Sequence, residues 1–519
     1  MAEPSIRIPI TEPATLDPAI AADMVSIDLI GQLFEGLLGW DEKGEPVPLG
    51  AESWDVSADG LVYTFKLRPG VAWSDGRPVV AHDYEWAWKR VVDPKTGSDY
   101  ASMLYPVKNA ARIHREGLDV GQLGVTSPDD QTLVVTLEQQ AAFFTRLVSS
   151  WTLVPVRQDV VEKRGYTWTD PGQVVTNGPF LLKEWQPGAQ LVLERNGRYW
   201  GDKPALGWAV YRIFPEGADD RVFAAYQAGE LDAFGSGAVF EVPDAQLERV
   251  LADPKLSQEV KTFAHSATMF IVANHRREHL RDPRVRIALG QAIERQQLLG
   301  DVLRRVGVPA FGLQPEGITG RQPDLWPMED LAEAQKNLAA AGFPDGKGFP
   351  EITFTYDADP QWDLLASYLQ RRFKDGLGIT LRPQPMDGAA FLTWRGSDDW
   401  KSDGDLCRGG WISDYEDPHD WYNLLWDSRE DAVLFGTGWQ NEEFDKLVRQ
   451  AKGELDRPKR LQLYERAERV LAAEYPSIPL FHYRLRTLVK PYVQHFEPQR
   501  VLGLVPLKRT RLERPRAAS

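Results

Sequence analysis

The spacing of apolar residues changes several times along this chain, and each change predicts a different element. Residues 5–10 alternate with the two-residue period of a strand, and Asp17-Pro18 predicts a turn after it. Ile27, Ile30, Leu33, Phe34 and Leu37 then recur at three- and four-residue spacing, which predicts one buried helical face. The segments VYTFKL (62–67) and TLVVTL (132–137) alternate again and read as strands. Between them VAHDYEWAWKRVVD has helical period, with residues 81–83 at its start. Residues 180–185 and 190–195 flank a Pro-Gly pair and predict a hairpin.

After about residue 260 the texture shifts toward alternating strands and helices. TMFIVAN reads as a strand, and the helix of DPRVRIALGQAI opens at Pro283 with Asp282 as its N-cap. MEDLAEAQKNLAAAGF is a helix stopped by Gly342. EITFTYDAD is a strand, QWDLLASYLQRRFKDGLGITLRPQPM a helix, Gly turn and strand, and RPKRLQLYERAERVLAAEYP a long amphipathic helix before a last strand. Repeated strand–helix–strand crossovers in 519 residues predict an α/β chain of two to four domains.

The formal charge of −15 leaves no basic run able to track phosphates, so nucleic acid is not an expected partner. No stretch of 18 apolar residues predicts a membrane span. Cys407 is the one cysteine, which excludes an internal disulfide and a cysteine-based metal cluster. Eighteen Trp, sixteen Tyr and twenty-one Phe supply flat surfaces that suit cores first and adaptable ligand pockets second.

Enzyme signals are weak. His275 to His279 spell the His-x-x-Glu-His order of some zinc peptidases, but that chemistry needs both His on one helix face. Here the pair lies between a strand and Asp282-Pro283, where a loop is expected. No Gly-x-Ser-x-Gly elbow occurs, and no base is placed beside Cys407.

The ordered strings LIGQLFEGLLGWDEKGEPVPLGAESWDVSADGLVYTFKLRPGVAWSDGRPVVAHDYEWAWKRVVDPKTGSDYASML, VVTNGPFLLKEW, LERNGRYW, DPRVRIAL and GGWISDYEDP resemble the bacterial extracellular solute-binding proteins of the peptide/nickel ABC-importer group, and among them the oligopeptide-binding proteins. The resemblance implies a two-lobed periplasmic-binding-protein-like fold of the large three-domain type, hinged to close around its ligand. It divides the chain into domain I (1–34, 158–262 and 483–519), an extra domain II (35–157) and domain III, the second lobe (263–482). It also implies a monomeric receptor without catalytic turnover, cofactor or metal, which hands short peptides to a membrane permease. Its location would be extracytoplasmic, in the periplasm or as a cell-surface lipoprotein, with no signal segment in this chain.

Burying a peptide removes its ammonium and carboxylate from water, so each needs a counter-charge, while its backbone can pair with a strand edge regardless of sequence. By resemblance Asp414 receives the ammonium, Tyr100 places its hydroxyl near it, and Gly410, Trp411 and Ile412 offer backbone groups, Trp411 also walling a pocket. Arg408 would hold the carboxylate, and Met24, expected in a loop, would pair with the peptide's start. Two positions depart from the relatives' pattern: Ala21-Ala22 precede Asp23 where some carry an acid, and Leu303 is apolar at a cationic position, with Arg304 and Arg305 adjoining. An oligosaccharide or other specialised solute on the same scaffold is the alternative, since many Trp suit sugar stacking; a zinc peptidase at His275–His279 is a more remote one.

Overall fold

A computed structural model describes the whole chain except residues 1–2, 42–43, 236–239, 241, 243, 305–306, 430–434 and 514–519, and the side chains of 244–245. The chain divides into two compact units, Met1–Phe263 with Leu485–Ser519, and Ala264–Arg484. It passes from one unit to the other within two strands, Val260–Ala273 and Ser477–Val489.

In the first unit, the expected strand Ser5–Ile10 lies parallel to Trp208–Ile213, and the expected hairpin forms from Phe180–Gln186 and Gln190–Arg195, with Gly188 at positive φ in its turn. A second, antiparallel sheet runs in the order Ala51–Val56, Val62–Leu67, Thr132–Thr136, Val125–Asp129. The helix Ala81–Val92 packs on its last two strands. Asp83 fixes the start of that helix by accepting from the Val80 backbone N–H and from Trp73 Nε1, both at 3.0 Å. Asp17 of the expected turn is buried against Arg90 (2.7 and 2.5 Å) and accepts from Trp168 Nε1 as well.

The first helix is shorter than its apolar spacing predicts. It spans Met24–Leu33, so Phe34 and Leu37 are buried outside it. The side chain of Asn177 accounts for the stop, accepting from the Glu35 N–H (3.0 Å) and donating to the Glu35 carbonyl (2.8 Å), as a neighbouring strand would. The C-terminal segment returns to this helix. Gln32 donates to the Val505 carbonyl (2.8 Å) and accepts from the Leu507 N–H (3.1 Å), and Lys508 pairs with Glu35 at 2.6 Å.

The second unit is built on a mixed sheet. Leu406–Ile412 lies antiparallel to Val260–Ala273 on one side; on the other, Leu406 and Cys407 pair in parallel with Ile352–Asp357, which pairs in turn with Leu381–Met386. The helix Pro360–Leu377 makes the crossover between those last two strands, capped by Asp359 and ended by Gly378 at φ +68. The expected helix after Asp282 is present as Pro283–Gln291, with Asp282 accepting from the Arg284 N–H at 2.9 Å. Much of the aromatic stock is core here: Phe270, Phe354, Phe373, Trp400, Trp421 and Trp426 are fully or almost fully buried around the sheet.

Candidate functional site

In the second unit, four of the expected site residues share one strand. Arg408, Gly410, Trp411 and Ile412 lie on Leu406–Ile412, where Gly410 is opposite Met269 and Trp411 opposite Thr268. The ladder to Ile352–Asp357 covers only Leu406 and Cys407, so among the described residues the 408–412 edge on that side has no partner strand. An edge without a partner presents backbone donors and acceptors to whatever extended chain approaches.

The two glycines of this strand serve different ends. A Cβ on Gly409 would fall 2.5 Å from Val272 Cγ2 and 2.8 Å from Phe270 Cε2, so packing alone demands glycine there. At Gly410 the nearest atom, Met269 Cε, would lie at 3.4 Å, an ordinary contact. Packing does not require Gly410, and its lack of a side chain leaves the strand surface open.

Beyond the strand, Ser413 is pinned by its N–H to the Ser266 carbonyl (2.8 Å) and by Trp421 Nε1 to its Oγ (2.7 Å). Asp414 follows in a half-buried position. Among the described residues its carboxylate has no hydrogen-bond or ion-pair partner. Loss of hydration pushes its carboxyl up to about 7. Asp420 lies close by, fully buried, and accepts from Trp411 Nε1 at 2.9 Å. Its carboxyl is pushed well up by burial and by the charge of Asp414. Nearby, Asp417 is the acid that is neutralised: Arg460 pairs with both its oxygens (2.8 and 2.5 Å), and it caps the helix Pro418–Trp426 through the His419 N–H. The arrangement leaves negative charge for a cation to meet at Asp414.

At the other end of the strand the charge is engaged. Arg408 makes a two-pronged contact with Asp357, Nη2 to Oδ2 at 2.9 Å, and lies over the rings of Trp362 (5.4 Å) and Phe391 (5.1 Å). A second guanidinium, Arg395, shares the Phe391 ring (5.8 Å) and also covers Phe435 (5.3 Å). Arg395 has no carboxylate in ion-pair contact among the described residues. Burial lowers its pKa, and Arg408 adds repulsion. Two cations around one carboxylate leave a surplus positive charge. Sequence reasoning missed both Arg395 and Asp357, which sit 13 and 51 positions from Arg408 with no local motif to link them.

The remaining two expected residues lie in the first unit. Tyr100 is half-buried at the start of the one-turn helix Ala101–Leu104 and meets the edge of Trp151 at 4.7 Å. Trp151 donates in turn to the Ala21 carbonyl (3.2 Å), so it connects Tyr100 with the segment leading to Met24. Met24 is not in a loop. It is the first residue of the helix Met24–Leu33, because Asp23 caps that helix through the Ser26 N–H at 2.8 Å.

The His-x-x-Glu-His string does not form one helical face. His275 is in a loop and faces the Pro476 carbonyl (3.1 Å), whereas His279 is in the one-turn helix Glu278–Arg281, 3.0 Å from Asp405. Among the described residues no group of three or more His, Cys, Asp and Glu could hold a metal ion. Cys407 is buried, and burial pushes its thiol up to about 12. Leu303 is buried with Arg304 beside it, and Arg305 lies outside the described residues. No helix among the described residues is long and apolar enough to cross a membrane.

The sequence profile of the bacterial extracellular solute-binding proteins, family 5 middle, matches residues 45–432. The periplasmic murein peptide-binding protein MppA of Escherichia coli strain K12 is 30% identical over 493 residues, 93% of this chain and 88% of that protein. A solved structure of MppA in its unliganded open form matches with a TM-score of 0.85 at 29% identity, over 99% of this chain and 98% of that one. The same organism's probable deoxycholate-binding periplasmic protein YgiS is 32% identical over 94% of this chain and 89% of its own length. The structure of Haemophilus influenzae OppA in complex with the peptide RPPGFSPFR matches with a TM-score of 0.76 at 26% identity, covering 99% of this chain and 100% of that one.

Proposed function

This chain belongs to family 5 of the bacterial extracellular solute-binding proteins, and from that membership we propose that it is the substrate-binding component of an ABC importer that captures short oligopeptides outside the cytoplasmic membrane. The observation that carries this reading is Asp414, a dehydrated carboxylate without a partner among the described residues, placed just beyond a strand edge that is open from 408 to 412. A peptide's ammonium neutralises that carboxylate, and its backbone adds to the edge at Gly410–Ile412. Trp411 acts through Asp420, and Arg408 with Arg395 and Asp357 faces the carboxylate end with a surplus positive charge. Tyr100 and Met24 contribute from the first unit, whose residues 35–157 form the extra domain. The protein works without catalytic turnover and delivers its cargo intact to a permease.

Native mass spectrometry of freshly purified protein, followed by denaturation, tests the reading. A ladder of peptide masses is the expected result. Release of a single sugar, sterol or other non-peptide mass would keep the family and overturn the peptide assignment; YgiS shows that names in this family extend beyond peptides.

A further inference from the structure

Near the open strand edge the second unit holds a cavity of about 120 Å³, lined by Met269, Leu303, Trp362, Leu365, Phe481 and Tyr483, with Asp359 and Gln361 as its polar members. The size is close to that of the roughly 150 Å³ apolar cavities that remain dry and accept benzene. It is not sealed, because Trp362 and Tyr483 are half-buried. Two of its walls belong to the site already described. Met269 is the residue opposite Gly410, and Trp362 is the ring under Arg408. Its polar members do not make it a charged pocket: Asp359 is exposed and capping the helix Pro360–Leu377, where it accepts from the Gln361 N–H at 2.8 Å. Arg408, the cation over Trp362, is matched by Asp357.

We propose that this cavity is a selectivity pocket that admits one bulky apolar side chain, aliphatic or aromatic, of the captured peptide, at the residue lying against the Arg408 end of the strand. The inference rests on the peptide reading and goes beyond it by naming a side-chain preference. An apolar group displaces water from the apolar walls that make up most of the lining. A carboxylate or ammonium pushed between Leu303, Leu365 and Phe481 loses its hydration and finds no buried counter-charge there. Trp362 is the side chain that joins preference to position, since it both walls the cavity and carries Arg408.

The test is calorimetric titration of the full chain with a tetra-alanine peptide in which each position in turn is replaced by Leu, Glu or Lys. At one position Leu should bind at least tenfold more tightly than Glu or Lys. Trp362→Ala, or Leu303→Lys if the first variant folds poorly, should bring that ratio below about threefold. Peptide binding without any such position, or a ratio that survives both variants, would overturn the pocket and leave the peptide reading intact. Preference for Lys at that position would assign the selection to Asp359 and likewise overturn the proposal. Failure of every peptide to bind would overturn both readings.

Discussion

The two ends of the Leu406–Ile412 strand handle charge in opposite ways. On one side Arg408 is held by Asp357 and lies over two aromatic rings. Past the other end Asp414 has no counter-ion among the described residues, although Arg460 is bound to Asp417 only three residues along. A matched charge adds to the rigidity of the fold. An unmatched, dehydrated one opposes folding and is available to whatever brings the missing sign. The difference teaches that, on the proposed reading, the ammonium end of a peptide would meet a charge the fold leaves open, and the far end a cluster the fold has already largely satisfied.

The sharpest way to break this comparison is Asp414→Asn. It should cost peptides with a free amine on the order of 2–5 kcal/mol of affinity, since their ammonium would be buried without its partner. N-acetylated peptides, which bring no ammonium, should bind the variant and the native protein alike. A loss below about tenfold in calorimetry would remove Asp414 from the role.

The strand itself gives the next largest effect. Gly409→Ala should destabilise the protein by about 1–3 kcal/mol in urea unfolding, because Val272 and Phe270 occupy the space its Cβ needs. Gly410→Ala should stay within about 0.5 kcal/mol in the same measurement. Equal costs at both positions would show that Gly410 too is a packing requirement.

Acid should weaken binding at Asp414. Its carboxyl is raised from 3.8 to about 7, so below neutrality it is protonated and must release that proton to pair with an ammonium. Affinity should therefore fall as pH drops below 7, by up to about tenfold per unit. Titrations in buffers of different ionisation enthalpy should show proton release at pH 6 and little at pH 8. The unliganded fold should respond in the opposite sense. The folded state keeps a proton between pH 3.8 and 7 that the unfolded state loses, so this group's contribution to stability diminishes as pH rises through that window.

The smallest effect sharpens the other end. Asp357→Asn removes the acid that occupies Arg408, and should raise the preference for a free carboxylate over a C-terminal amide by about 1 kcal/mol. An unchanged ratio of the two affinities would show that the peptide's carboxylate is held elsewhere.

The regular elements were legible in the sequence because their signals are local. The caps at Asp282 and Gly378 and the Pro-Gly hairpin are each written within a few residues. The first helix was overextended because its stop depends on Asn177, 142 positions from Glu35. The site shows the same limit. Asp414 and Asp417 look alike on paper, yet Arg460 reaches only one of them, the one that also caps a helix. Asp357 and Arg395 could not be attached to Arg408 without the sheet and the Phe391 ring that bring them together. Met24 is expected in a loop only by resemblance, whereas the cap at Asp23 makes it the first residue of the helix, three positions before the first apolar residue of the periodic face at Ile27.

The return of the C-terminal segment to the first helix sets a timetable for the chain's biogenesis. Gln32 and Glu35 wait for partners 475 and 473 positions downstream, which emerge long after them. Residues 264–484 form an uninterrupted stretch that can reach its native contacts while the earlier residues still lack Val505, Leu507 and Lys508. A ribosome or translocation channel that still holds Val505, Leu507 and Lys508 therefore holds a molecule whose first unit is incomplete, and their release is the step that completes it.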